Sequence, residues 1–130
     1  MKTFFLTIFL FTSITTWAEP KTGSTLRDIS ITEAATALEE NKELIIIDVR
    51  TAKEFEKERL KGAKNIDIKD DQFENKIAKL DRTKNYLIHC RSGVRSAKAL
   101  KVFRKLNFEN ILHMKDGLLG WTKENQPTSK

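Results

Sequence analysis

The chain has 130 residues, 24 Lys and Arg against 18 Asp and Glu, a net charge of +6 at pH 7, and one cysteine. This length suits one domain rather than two, and a single cysteine excludes an internal disulfide and a Cys-x-x-Cys dithiol site. The charges are interspersed along the chain and no nucleic-acid motif is present, so we expect a solvated surface and no nucleic-acid partner.

Residues 1–18 have the pattern of a cleavable secretory signal peptide. Lys2 is followed by a short apolar core over residues 4–11, and Ala18 ends a small-residue cleavage site. The apolar core is much shorter than the ~20 residues that a membrane-spanning helix needs. We therefore expect a periplasmic or secreted protein with no stable membrane anchor.

Beyond the signal, the sequence predicts one domain between two polar ends. Residues 19–26 contain Pro20 and Gly23 and are predicted to be a flexible lead-in, and residues 125–130 are predicted to be a polar C-terminal tail. The domain itself is predicted over residues 27–124.

Strand and helix patterns alternate through this domain. Capping-box spacing from Ser30 and from Thr51 predicts helices over residues 30–40 and 51–58. Further periodic segments predict strands over residues 44–49, 65–68, 86–90 and 110–114, helices over 71–80 and 94–106, and a loop over 116–121 leading into a short helix. This alternation predicts an α/β fold with a mostly parallel sheet and helices on both faces.

Cys90 lies where a predicted strand ends and a predicted helix begins. At such a junction, backbone N–H groups and the helix dipole favour the thiolate. Gly93 permits a tight curl, so the amides from Arg91 to Ser96 are predicted to form an anion-binding nest. Ser96 is expected to cap the helix or to hydrogen-bond the sulfur. The alternative is a small, buried and inert cysteine.

Two reactions fit a thiolate in such a nest: attack on phosphorus and attack on a sulfane sulfur. Four residues separate Cys90 from Arg95, whereas the loop of cysteine phosphatases is one residue longer and forms a wider cradle. The shorter loop favours the terminal sulfur of a persulfide.

A second polar segment, Asp48-Val49-Arg50, ends the most apolar predicted strand. Because ligands bind at the carboxyl ends of parallel strands, we expect this segment and Cys90 to face one crevice. His89 and His113 are isolated in the sequence, so we interpret them as packed residues and expect neither a metal site nor a cofactor.

The run from Cys90 to Ser96 resembles the active-site loop of single-domain rhodaneses, the thiosulfate sulfurtransferase family. The segments Ile47–Arg50, Glu54-Phe55, Gly62–Ile66 and Gly117–Trp121 resemble other motifs of that family in the same order. The resemblance covers about residues 27–124 and implies a rhodanese-like fold with a central, mostly parallel five-stranded sheet. The chain departs from the family pattern at Glu58–Lys61 and at Asp116.

The resemblance implies a sulfurtransferase that works through a persulfide on Cys90. The donor would be thiosulfate or another sulfane compound, and the acceptor would be cyanide, a thiol or a protein. The residues implied to bind substrate are Arg91, Ser92, Gly93, Val94, Arg95 and Ser96, of which the two arginines are expected to attract the donor and lower the thiol pKa. Asp48 and Arg50 are expected to pair with each other or to brace the loop rather than to take part in the chemistry. An Arg50–Glu54 ion pair is also expected across the start of the helix.

Two alternatives to turnover remain from the sequence. One is a persulfide carrier that transfers sulfur only to a protein partner. The other is a rhodanese-fold phosphatase or arsenate reductase, which the short loop and the absence of a second cysteine disfavour.

Overall fold

Strands and helices alternate along residues 24–130, the part of the chain that this computed structural model describes. The predicted signal peptide lies outside the described residues, as do residues 19–23 of the predicted lead-in. The strands are β1 (Thr25–Ile29), β2 (Ile45–Asp48), β3 (Lys64–Asn65), β4 (Asn85–His89) and β5 (Asn110–Met114). The helices are α1 (Ile31–Glu40), α2 (Ala52–Lys57), α3 (Phe73–Ala78), α4 (Val94–Lys105) and α5 (Gly117–Lys123).

The five strands form one sheet in the order β1-β5-β4-β2-β3, and every neighbouring pair is parallel. Among residues 24–130, no helix is both long enough and apolar enough to cross a membrane. The predicted α/β fold with a five-stranded parallel sheet is confirmed.

Two apolar cores cover the two faces of the sheet. Successive residues of β4 alternate between them, since Tyr86 and Ile88 pack in one core and Leu87 packs in the other. The first core contains residues of α3 and α4, including Phe73 and Phe103, whereas α1 and α5 contribute to the second. Helices therefore lie on both faces, and the central strands are buried on both sides.

Both predicted capping boxes are present. Ser30 begins α1 and accepts a hydrogen bond from the Glu33 amide, and Thr51 begins α2 and accepts one from the Glu54 amide. In each case the glutamate carboxylate also accepts a hydrogen bond from the backbone amide of the capping residue. These boxes place both helix starts one residue after the cap.

The polar ends of the domain are more ordered than the sequence predicts. Thr25 and Leu26, predicted to be flexible, pair with Asn110 and Ile111 at the start of β1. This strand lies at the sheet edge and is mostly exposed, so it lacks the apolar pattern of a buried strand. In the predicted C-terminal tail, the Trp121 Nε1–H donates to the Pro127 carbonyl at 2.8 Å, and Ser129 pairs with Arg59.

Several other elements also differ in length or position from their predictions. Strand β3 is shorter than the predicted strand over 65–68, although the amides of Ile66 and Ile68 still donate to the Asp48 and Val49 carbonyls. Helix α3 spans Phe73–Ala78 rather than 71–80. Helix α5 begins at Gly117, inside the predicted loop.

Candidate active site at Cys90

The crevice beside Cys90 lies where the sheet connections diverge. After β2 the chain moves outward to β3, and after β4 it moves to β5 on the other side. Asp48 at the end of β2 is the register partner of His89 at the end of β4. The carboxyl ends of β2 and β4 therefore form the type of crevice in which open parallel sheets bind ligands.

The loop after β4 curls around the sulfur of Cys90. The Gly93 N–H donates to Sγ at 3.0 Å, and the Ser96 hydroxyl oxygen lies 3.3 Å from Sγ. Gly93 has φ +100°, and a Cβ there would lie 2.0 Å from the Lys115 carbonyl oxygen. Only glycine therefore fits this position, where the loop turns into α4.

The loop lowers the pKa of the Cys90 thiol. Burial of the sulfur is the largest effect and raises the pKa, because it disfavours the charged form. Hydrogen bonds from the Ser96 side chain and from the amides of Ser96, Gly93 and Ser92 together outweigh burial and lower the pKa. Arg91 and Arg95, which were predicted to contribute, are not among the largest causes of this shift.

Arg95 is held by Glu54 rather than aimed at the sulfur. Its two terminal nitrogens donate to the two Glu54 carboxylate oxygens at 2.7 and 2.8 Å. This contact, followed by those of Thr51, holds the pKa of Glu54 well below its usual range despite partial burial. The predicted Arg50–Glu54 ion pair is wrong, because the Glu54 carboxylate is already occupied and Arg50 reaches only its carbonyl, at 3.5 Å.

Asp48 and Arg50 pair beneath the crevice, as expected. The Arg50 Nη2 donates to the Asp48 carboxylate at 2.7 Å, and the same nitrogen donates to the Glu58 carbonyl at 2.6 Å. The Asn65 side-chain amide donates to the Asp48 and Arg50 carbonyls at 3.0 and 2.8 Å. Since Asp48 and Arg50 are both buried, they brace β2, β3 and the end of α2 and do not contact the sulfur.

His89 is packed behind the loop. Its Nδ1 lies 2.9 Å from the Cys90 carbonyl, so this nitrogen carries the proton and donates it. Its Nε2 is buried without a hydrogen bond, 3.7 Å from an Asp48 oxygen. Burial lowers the pKa of His89 more strongly than Asp48 raises it. His89 is therefore a neutral, packed residue.

A cleft of about 320 Å³ opens beside the loop, between α2 and α5. It is lined by Arg50, Glu54, Lys57, Glu58, Arg91, Leu118, Leu119 and Thr122. Arg91 and Ser92 are exposed, and Val94 is exposed at the start of α4. A second cleft of about 280 Å³ lies at the amino-terminal edge of the sheet, beside Asn85 and Asn110, far from Cys90.

The structure thus places the Ser96 hydroxyl and the amides of Ser92, Gly93 and Ser96 around the Cys90 sulfur, whereas the charged site residues make their contacts elsewhere. Arg95 contacts Glu54, Asp48 and Arg50 contact each other, and Arg91 lines the cleft. No local pattern predicts two further partners: Glu54, which holds Arg95, and Asn65, which holds the end of β2. Both residues lie in segments that resemble family motifs, and that resemblance is the signal that could have indicated them.

The chain belongs to the rhodanese-like domain family, whose model matches residues 30–124. It is 29% identical over 102 residues to a putative sulfurtransferase, YtwF, of Bacillus subtilis, covering 78% of this chain and 96% of that protein. It also resembles a rhodanese-related protein from Thermoplasma volcanium, with a TM-score of 0.70, 26% identity, and coverage of 79% of this chain and 97% of that one.

Two longer relatives share the domain. A probable adenylyltransferase/sulfurtransferase, MoeZ, of Mycobacterium tuberculosis is 32% identical over 110 residues, covering 85% of this chain but 27% of that protein. A putative sulfur carrier protein, YrkF, of Bacillus subtilis is 26% identical over 104 residues, covering 80% of this chain and 55% of that protein. The chain thus spans only part of the length of these relatives.

Proposed function

We propose that the protein is a sulfurtransferase that moves a sulfane sulfur from thiosulfate or a related donor to cyanide or a thiol, through a persulfide on Cys90. The observation that carries this proposal is the cradle around Sγ, in which the Gly93 amide and the Ser96 hydroxyl lie at 3.0 and 3.3 Å. These donors favour a thiolate and can hold the anionic outer sulfur of a persulfide. The relatives named as sulfurtransferases support the same chemistry.

The reaction is a double displacement. The Cys90 thiolate attacks the outer sulfur of thiosulfate, an S–S bond forms, the S–S bond of thiosulfate breaks, and sulfite leaves with the electron pair. Cyanide or a thiolate then attacks the outer sulfur of the persulfide, and Cys90 leaves as the thiolate. Such covalent catalysis predicts ping-pong kinetics. Arg91, exposed at the cleft, would attract the anionic donor.

The Arg95 ion pair counts against phosphatase or arsenate reductase activity. An arginine that binds a tetrahedral oxyanion must present its guanidinium to the ligand, but both terminal nitrogens of Arg95 already donate to Glu54. Together with the short loop, this pairing favours attack on sulfur over attack on phosphorus.

Mass spectrometry of the purified protein with and without thiosulfate tests the proposal. We expect the mass of one sulfur atom to be added to the wild type and nothing to be added to Cys90→Ser, because the chain has no other cysteine. Dithiothreitol should remove the adduct, which distinguishes a persulfide from a sulfinic acid of nearly equal mass. A wild type that takes no sulfur from thiosulfate or any other sulfane donor would overturn the proposal.

A persulfide carrier for a protein partner is the second candidate, favoured by the relative named as a putative sulfur carrier. Both candidates require the same persulfide, so turnover separates them. A sulfurtransferase should produce thiocyanate from thiosulfate and cyanide over many cycles. A carrier should load one sulfur, release it slowly to small acceptors, and discharge it rapidly to its partner.

We also propose that the protein is exported, on the basis of the charged start, apolar core and cleavage site in residues 1–18. Expression of the full chain followed by cell fractionation and N-terminal sequencing tests this. The expected result is a processed protein in the periplasm or medium that begins near Glu19. An unprocessed chain confined to the cytoplasm would refute it.

A further inference from the structure

A line of hydrogen bonds connects the Cys90 sulfur with the protein surface. Ser96 Oγ lies 3.3 Å from Sγ and 2.7 Å from Nε2 of His113. The other ring nitrogen of His113, Nδ1, lies 2.8 Å from Oδ1 of Asp28. Ser96 and His113 are buried, whereas 61% of the Asp28 side chain is exposed. The line therefore runs from the buried sulfur to solvent.

Three secondary-structure elements hold these groups in place beside Cys90. His113 is in β5 and is the register partner of Asp28 in the edge strand β1. Ser96 is in the first turn of α4, and α4 packs on the face of the sheet to which the His113 side chain belongs. The pairing of the edge strand β1 with β5 therefore places the Asp28 carboxylate beside His113, and the sequence does not indicate this pairing.

The chemistry of the four groups sets the direction of each hydrogen bond. An ionised carboxylate only accepts, so His113 donates from Nδ1 to Asp28. In the neutral ring, Nε2 then carries a lone pair and accepts the Ser96 hydroxyl proton. Ser96 Oγ is consequently free to accept the proton of the Cys90 thiol. The competing acceptor for the Ser96 hydroxyl, the Gly93 carbonyl, is farther away, at 3.2 Å.

We propose that Ser96, His113 and Asp28 form a relay that accepts the Cys90 proton before the sulfur attacks its donor, an inference that rests on the proposed sulfur transfer. The S–H bond breaks, its proton passes to Ser96 Oγ, and the serine's own proton passes to His113 Nε2. The electron pair stays on the sulfur, and the imidazolium is paired with Asp28. The Ser96 hydroxyl then points at the thiolate and stabilises it.

His113 and Asp28 are positioning residues in this scheme, because they act on the sulfur through Ser96. The titratable groups around His113 are Asp28 from β1, Cys90 at the end of β4, and the buried, neutral His89. Among the contacts that lower the pKa of the Cys90 thiol, the Ser96 side chain has the largest effect. That is the contact through which His113 would act.

Alkylation of Cys90 by iodoacetamide tests the relay, because only the thiolate reacts and the chain has one cysteine. The pH profile of the rate would be measured for the wild-type full chain, His113→Gln and Asp28→Asn. Glu74→Gln is the matched control, because Glu74 is also a largely exposed carboxylate held by one side chain, in its case Lys105.

We expect His113→Gln to shift the alkylation profile to higher pH by about one unit and to lower the rate near neutral pH about tenfold. Asp28→Asn keeps an acceptor for Nδ1–H but removes its charge, so it should shift the profile in the same direction by a smaller amount. Because Asp28 is exposed, this variant should fold even if His113→Gln does not. Glu74→Gln should have the wild-type profile.

The relay is overturned if the Asp28→Asn profile coincides with that of Glu74→Gln. A second measurement distinguishes failure of the relay from failure of the proposed function. Sulfur loading from thiosulfate would be monitored by mass spectrometry over the same pH range. A wild type that loads sulfur while all variants share its alkylation profile refutes the relay alone. A wild type that never loads sulfur refutes the proposed sulfur transfer, and with it the role of the relay in that reaction.

Discussion

The Glu54–Arg95 ion pair offers a sharp test of how the loop is held. Glu54→Gln removes the carboxylate charge but keeps the capping box at the start of α2, since glutamine serves as well as glutamate at that position. The substitution therefore isolates the contact with Arg95. Glu54→Ala would remove the ion pair and also the side-chain half of the capping box, so its additional cost measures that half.

The geometry of the pair sets the expected magnitude. The two contacts are 2.7 and 2.8 Å long, and the two side chains are 24% and 29% exposed. Exposed ion pairs contribute about 0–1 kcal/mol, whereas hydrogen bonds to charged groups contribute about 1.5–3 kcal/mol. For this partly buried, bidentate pair we expect Glu54→Gln to lower the free energy of unfolding by about 2 kcal/mol and the Tm by about 8 °C.

The pH dependence provides an independent test of the same pair. The pKa of Glu54 is lower in the folded chain than in the unfolded chain, so the stabilisation is complete above the unfolded pKa. It is lost progressively as the pH falls below about 4.3 towards the folded pKa. The difference in stability between wild type and Glu54→Gln should therefore be constant near neutral pH and shrink in acid.

Urea unfolding followed by far-UV circular dichroism measures these differences. Glu74→Gln is the control, because its exposed pair with Lys105 is expected to contribute under about 1 kcal/mol. If Glu54→Gln costs no more than this control, or if its cost does not change in acid, then the ion pair does not hold the loop as argued.

Three further predictions concern the brace, the loop and the thiol. Asp48→Asn leaves the buried Arg50 guanidinium without its carboxylate and should cost about 3–5 kcal/mol in urea unfolding; a cost below about 1 kcal/mol would contradict the bracing role. Gly117→Ala places a Cβ 2.4 Å from the Arg91 carbonyl oxygen and should destabilise the chain more than Gly62→Ala does. Gly62 also has a positive φ but has no neighbour within 4 Å, so equal costs of the two substitutions in thermal melts would refute the packing argument. Because the pKa of Cys90 is lowered, its alkylation should reach half-maximal rate at a lower pH in the folded chain than in the chain unfolded by urea, and equal midpoints would contradict the loop's effect.

Local patterns in the sequence identified most of the secondary structure. The two capping boxes located the starts of α1 and α2, and the apolar runs located β2, β4 and β5. Such signals are contained within a few neighbouring residues, so they can be recognised without knowing the fold. The edge strand β1 has no such signal, because its order comes from pairing with β5, which is distant in the chain.

The candidate site divides in the same way. The glycine that turns the loop, the amides around the sulfur and the Ser96 contact all belong to one short segment, and the sequence located them. Most partners of the charged residues are distant in the sequence. Asp48 pairs with Arg50 two positions away, as expected, but Arg95 pairs with Glu54 from another element, and His113 pairs with Asp28 from the far edge strand.

The residues around Cys90 are enough to predict that the cysteine lies between a buried strand and a helix, in a loop of rhodanese type, because backbone geometry and composition within that loop specify its curl. The residues that surround the loop follow from the packing of the whole domain. Strand order and register bring Glu54, His113 and Asp28 to the loop. These contacts depend on the packing of elements that are far apart in the chain, so no local pattern predicts them.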